Sequence, residues 1–148
     1  MKRRELRENI FKIIFSLNSE KEFSEEAFSY YLEDNGISEK DGEFIKSEVL
    51  GIVENSEAID SIISENLKNY TFERISKVCL AVLRVAIYEI NYVTDIPDAV
   101  AASEAVKIVE AYEDEKSKGF INGILGSVIR KKSEGIEWDR QHTFSNRC

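Results

Sequence analysis

Five basic side chains, Lys2, Arg3, Arg4, Arg7 and Lys12, stand in the first twelve residues against two acidic ones, Glu5 and Glu8. This end is therefore net +3 on a chain whose formal charge is -8. At about 100° of helical rotation per residue, Arg4, Arg7, Phe11 and Phe15 fall on one stripe that combines guanidinium and aromatic groups. Guanidinium groups neutralise backbone phosphates and aromatic rings stack on unpaired bases, which is the chemistry of single-stranded RNA binding. In that reading Arg4 and Arg7 form a phosphate-contacting pair, while Lys2 and Arg3 follow the strand. The same spacing has a second reading, in which Phe11 and Phe15 pack in the core or at a dimer interface and the arginines are solvated or paired with acids. The residues alone leave both open. Arg130-Lys131-Lys132 is a second basic cluster that either serves RNA or complements a helix C-terminus.

Other chemistry is poorly supplied. The single histidine, His142, lies near the C-terminus, no Cys/His pair has metal-ligand spacing, and there is no GxxxxGK loop. Carboxylates are plentiful, as a solvated helical surface requires. Neither catalysis nor a cofactor or metal is expected. Gly119-x-x-x-Gly123 has flanks too polar for a membrane span, and its spacing is expected to serve close helix packing.

The acid is concentrated in the middle, where residues 19–73 hold fifteen Asp and Glu against four Lys. An acidic body repels polyanions, so any nucleic-acid contact must be focal. With 148 residues and 43% hydrophobic content, the chain can bury a core without a disulfide or metal. Cys79 lies within an apolar run and Cys148 at the end, and both read as free thiols of a reducing compartment. No apolar stretch approaches the roughly 18 residues of a membrane span, and a cytoplasmic location is expected.

The elements that position these groups are helical, because apolar residues recur at helical intervals almost throughout and Pro97 is the one proline. A first helix from about Arg3 to Leu17 buries Leu6, Ile10, Ile13, Ile14 and Leu17. Ser24 caps a second helix that stops near Asn35-Gly36. Ser38-Glu39-Lys40-Asp41 resembles a capping box for a third, and a further apolar set through Leu67 is compatible with one bent helix or two. Ile75 to Tyr92 is apolar on every side, the pattern of a central buried helix. Thr94 to Asp98 starts another helix with an early proline, and a last one begins near Ser117. The expected fold is all-α, with six to seven helices forming two small bundles joined by the central helix. The domain spans 1–132, with an N-terminal bundle at about 1–70, a C-terminal bundle at about 71–132, and a loosely held tail over 133–148 containing Trp138.

Four segments, RRELRENIFKIIFSL, VLRVAIYEI, IPDAVAASEAVKIVE and KSKGFINGILGSVI, closely resemble the transcription antitermination factor NusB family. They occur in family order over residues 3–130, and FINGIL is the most specific. The resemblance implies a helical protein of two subdomains that binds boxA-type RNA together with NusE, the small-subunit ribosomal protein S-ten, and modifies transcribing RNA polymerase, notably on ribosomal RNA operons. It implies that Lys2, Arg3, Arg4 and Arg7 contact RNA, that Phe120 stacks or walls a base, and that Asn122 hydrogen-bonds nearby. Phe11, Phe15 and Cys79 are the candidates for a partner or homodimer interface. Departures from the family pattern are Phe15 for an aromatic hydroxyl, Cys79-Leu80 for a charged pair, Ser103 for an asparagine, and Lys118-Gly119 for a basic residue directly before the Phe. Cys79-Leu80 implies a NusE face rebuilt with apolar contacts. The alternative reading is a helical interaction module that dimerises through its first helix. A related helical domain also precedes the catalytic domain of some ribosomal RNA cytosine methyltransferases, but a cofactor-binding sheet is not expected in a chain of this length.

Overall fold

The computed structural model describes residues 1–17 and 22–142, with side chains described as far as Glu134. The polar break at 18–21, residues 143–148 with Cys148, and the side chains of Trp138 and His142 lie outside the described residues. Among the described residues there are seven α-helices and no strand. They are α1 (Arg3–Leu17), α2 (Glu25–Asp34), α3 (Glu39–Glu54), α4 (Ser56–Glu65), α5 (Lys77–Tyr92), α6 (Asp98–Tyr112) and α7 (Glu115–His142), with a 3-10 turn at Phe72–Arg74. No described helix is long and apolar enough to cross a membrane.

The all-round apolar helix is the organising element, as its pattern requires. Ala81, Val82, Leu83, Val85, Ala86, Ile87 and Ile90 of α5 are all buried, and α5 packs against α1, α3, α4, α6 and α7. On one part of its surface α1 packs on α3 and α3 on α4, while α6 and α7 pack on each other. On α1 the expected stripe of Leu6, Ile10, Ile13 and Ile14 is buried, at about 1.5–3 kcal/mol of transfer free energy per large side chain. Leu17 is half-buried at its edge.

Helix ends follow local chemistry. Ser24 and Ser38 accept from the backbone N–H groups of Ala27 and Asp41, each at 3.2 Å. Asp41 does not close the expected capping box and lies instead 3.4 Å from the Met1 amine. Gly36 has φ +61, and the Gly36 and Ile37 amides donate to Glu33 and Leu32 oxygens, the paired bonds that end a helix at a left-handed residue. The apolar run ending near Leu67 is two helices, because the Asn55 side chain and backbone amide both donate to the Gly51 carbonyl and close α3.

Other expectations are corrected. The described backbone is helical past Lys132, to His142. A Cβ on Gly119 or Gly123 would meet nothing within 4 Å, so their spacing does not serve close packing. The close approach is at Gly51, where a Cβ would come within 2.5 Å of the Tyr88 Cζ. Pro97 sits at the N-cap of α6 rather than inside its first turn.

The central helix is capped by Ser76, whose Oγ accepts from the Cys79 amide at 3.1 Å and donates to Glu113 Oε1 at 2.8 Å. Ser76→Ala removes both bonds and is expected to lower stability by about 1 kcal/mol, read as a lower urea midpoint at unchanged slope.

Candidate nucleic-acid interface

The first turns of α1 bring their cations to a groove of about 560 Å³ walled by Lys2, Arg3, Arg4, Arg7, Asp95 and Glu104. The helix distributes these cations unequally. Arg4 is exposed, and its Nε and Nη2 donate to the two oxygens of Glu104 on α6 at 3.1 and 3.2 Å. Arg3 is also exposed, 3.8 Å from Asp95, with its guanidinium carbon 4.8 Å from the Phe44 ring centre. Lys2 is exposed, and its backbone amide donates to Glu5.

Arg7 differs in kind, because only 6% of it is accessible. Its Nε donates to both oxygens of Glu89 on α5, at 3.0 and 3.1 Å, and its Nη1 lies 3.7 Å from Glu104. The expected phosphate-contacting pair of Arg4 and Arg7 is therefore split. Arg7 is one turn further along the helix, where α1 is largely covered, and its Nε–H is engaged by the buried Glu89 carboxylate.

Glu48 of α3 completes the buried cluster. Glu48 is 5% accessible and Glu89 1%, the two carboxyls act on each other electrostatically, and Glu48 Oε1 finds no partner among the described residues. Burial and then the Glu89 charge push the Glu48 carboxyl up to about 7. Burial also raises Glu89, against the opposing pull of Arg7. A protonated Glu48 donating to an ionised Glu89 satisfies this arrangement, since a buried charge needs a partner and two adjacent carboxylates resist joint ionisation.

The aromatic half of the stripe also divides. Phe11 is 3% accessible, with its ring 5.3 Å from Tyr112 and 6.1 Å from Phe15. Phe15 remains exposed. Phe11 is thus a core residue in this structure, not part of an open partner face. Cys79 is buried as well, its Sγ 3.8 Å from Glu113 Oε1, and burial pushes its thiol up. It is not available as an apolar surface contact.

On α7, Asn122 is exposed and lines a groove shared with Lys107 and Glu110 of α6. Phe120 is half-buried, 5.1 Å from the Tyr70 ring. Two residues of helical rotation, about 200°, separate Phe120 from Asn122, so they leave α7 on different sides. Along α6, Glu104 pairs with Lys107 at 3.2 Å, and Glu110 lies 3.9 Å from Lys118 of α7. In the second basic cluster Lys132 is committed, donating to the Ile90 carbonyl at 2.6 Å and to Asp98 at 2.9 Å.

Sequence reasoning missed the acids that hold the cations, Glu89, Asp95 and Glu104, and the buried Glu48 beside Glu89. For Glu89 a signal existed. It is the sole acid of the helix and sits among its apolar residues Ile87 and Ile90, where a carboxylate needs a buried cation.

The family model of the NusB family matches residues 4–130. The chain belongs to the NusB family. It is 44% identical over 132 residues to the transcription antitermination protein NusB of Acetivibrio thermocellus, covering 89% of this chain and 91% of that one. Among solved structures, NusB of T. maritima is similar with a TM-score of 0.79 at 33% identity, covering 88% and 92% of the two chains. A crystal structure of the antitermination factors NusB and NusE in complex with double-stranded RNA is similar with a TM-score of 0.78 at 26% identity, covering 87% and 96%.

The buried cluster has a pH signature. Because the folded-state pKa of Glu48 lies above its unfolded value of 4.5, the folded chain holds a proton that the unfolded chain has released. Stability from this group is full below pH 4.5, declines as pH rises, and levels off above about 7. Glu48→Gln keeps a donor toward Glu89 without titrating. Urea unfolding from pH 5 to 8 is expected to show wild-type stability falling relative to the variant. Parallel profiles would remove the buried proton.

Proposed function

We propose that this chain is a non-catalytic RNA-binding adaptor of cytoplasmic transcription, which binds boxA-type RNA together with NusE and modifies transcribing RNA polymerase, notably on ribosomal RNA operons. The observation that carries the reading is the exposed cation edge formed by Lys2, Arg3 and Arg4 on an otherwise acidic chain. The similar structure that contains NusB, NusE and RNA supports it.

The division of labour follows from exposure. Arg4 and Arg3 are held by surface ion pairs, each worth about 0–1 kcal/mol, so an RNA phosphate can exchange with the carboxylate. Arg7 is instead a positioning residue that seats α1 on α5. Phe120, with Tyr70 against it, offers a half-exposed ring to a base, and Asn122 offers an amide to RNA on the α6 side. An acidic protein with few free cations binds RNA weakly alone, and NusE supplies the rest of the surface. The competing reading, dimerisation through the first helix, loses Phe11 to the core and retains Phe15.

Titration of a boxA-type RNA is expected to show weak, salt-sensitive binding that tightens when NusE is added. Equal affinity with and without NusE would defeat the adaptor reading. Arg4→Ala is expected to weaken binding and to reduce the slope of log affinity against log salt by about 0.7, one single-strand phosphate contact. An unchanged slope, with helicity retained by circular dichroism, would move the phosphate site elsewhere.

A further inference from the structure

Glu104 is the meeting point of three cations. Arg4 donates to it through two nitrogens, Lys107 Nζ lies 3.2 Å away, and Arg7 Nη1 3.7 Å away. Its side chain is 13% accessible, so it sits within the cation cluster rather than projecting from it. The hydrogen bond from Arg4 holds its carboxyl below the usual carboxylate range. A carboxylate accepting a guanidinium's Nε and Nη2 uses the geometry by which arginine grips a phosphate. The groove therefore has the donors of an anion site, with one of its own side chains in the anion's place.

We propose that Glu104 is a specificity-determining residue, an internal carboxylate that occupies the phosphate position on Arg4 until an RNA strand able to make further contacts displaces it. The inference rests on the RNA-binding reading above and deepens it. Displacement has a cost that any polyanion must meet, but only a strand that also engages the rest of the surface recovers it. Glu104 thereby keeps Arg4 oriented and suppresses indiscriminate binding at the basic N-terminal turn. For a strand that does not displace Glu104 it also hides one cation from the salt dependence, because Arg4 then stays neutralised as in the free protein.

The test uses the full chain and its Glu104→Gln variant, each titrated with a boxA-type RNA plus NusE, an unrelated RNA of equal length, and inorganic polyphosphate, over a salt series. The glutamine is expected to tighten binding of unrelated RNA and polyphosphate by roughly two- to five-fold, the fold-change equivalent of an exposed ion pair. The boxA-type RNA should gain less, so that discrimination falls, and the salt slope for unrelated RNA should steepen by about 0.7. In the Arg4→Ala/Glu104→Gln double variant the gain should vanish, since Arg4 carries it. Unchanged or weaker binding of unrelated RNA and polyphosphate in Glu104→Gln would overturn the proposal, as would a gain that survives loss of Arg4. Should the glutamine variant lose its helical signal, Glu104→Asp, which retracts the carboxylate by one methylene, is expected to show a smaller gain of the same sign. Polyphosphate separates the two claims: it reports displacement of Glu104 even if boxA-type RNA with NusE does not bind, which would instead defeat the RNA-binding reading.

Discussion

The contact on which the rest of the structure depends is the buried ion pair between Arg7 and Glu89. It joins the first helix to the central one, and through Glu48 it reaches α3. Two opposite charges removed from water gain little net stability compared with well-packed apolar residues, but a single partner left alone would be costly. The pair therefore acts as a register constraint. Any placement of α1 that separates Arg7 from Glu89 strands a charge in the core, so the rotation and height of α1 on α5 are tightly specified. The exposed turn that carries Lys2, Arg3 and Arg4 inherits this placement.

That inheritance explains how a short basic segment serves as a defined surface. Arg4 is one turn before Arg7, and Glu104 touches both. The α6 acid thus links the buried pair to the exposed edge, and Lys107 extends the line along α6. Cations and carboxylates alternate from Arg4 through Glu104 to Lys107, so the surface is locally near neutral and its charges are already ordered. Ordering before binding reduces the side-chain entropy that a docking ligand would cost.

Much of the fold was legible because helical periodicity is a local property. The α1 stripe, the apolar α5, the Ser24 and Ser38 caps and the Asn35-Gly36 stop are all written within a few residues of where they act. The break at Asn55 was not legible, since it depends on which carbonyl the asparagine side chain finds. The site was legible only in part. The position of Lys2, Arg3 and Arg4 at an exposed helix start follows from charge and spacing. The burial of Arg7 depends on a partner far away in sequence, and a stripe drawn on one helix cannot show which part of it another helix covers. The same reason placed Phe11 in the core and Phe15 outside it. Family membership adds the whole-chain correspondence, while the difference in burial between Arg4 and Arg7 comes from geometry.

In the proposed function Arg7 holds the fold while Arg4 meets RNA. The most direct measurement is a nitrogen-15 NMR titration that follows the arginine Nε–H signals as boxA-type RNA and NusE are added. The Arg7 signal should be slow to exchange with solvent and stationary throughout, because its proton lies between the two oxygens of Glu89. The Arg4 signal should shift as its carboxylate partner is exchanged for phosphate. An Arg7 signal that exchanges freely and moves with RNA, beside an unmoved Arg4, would contradict the account.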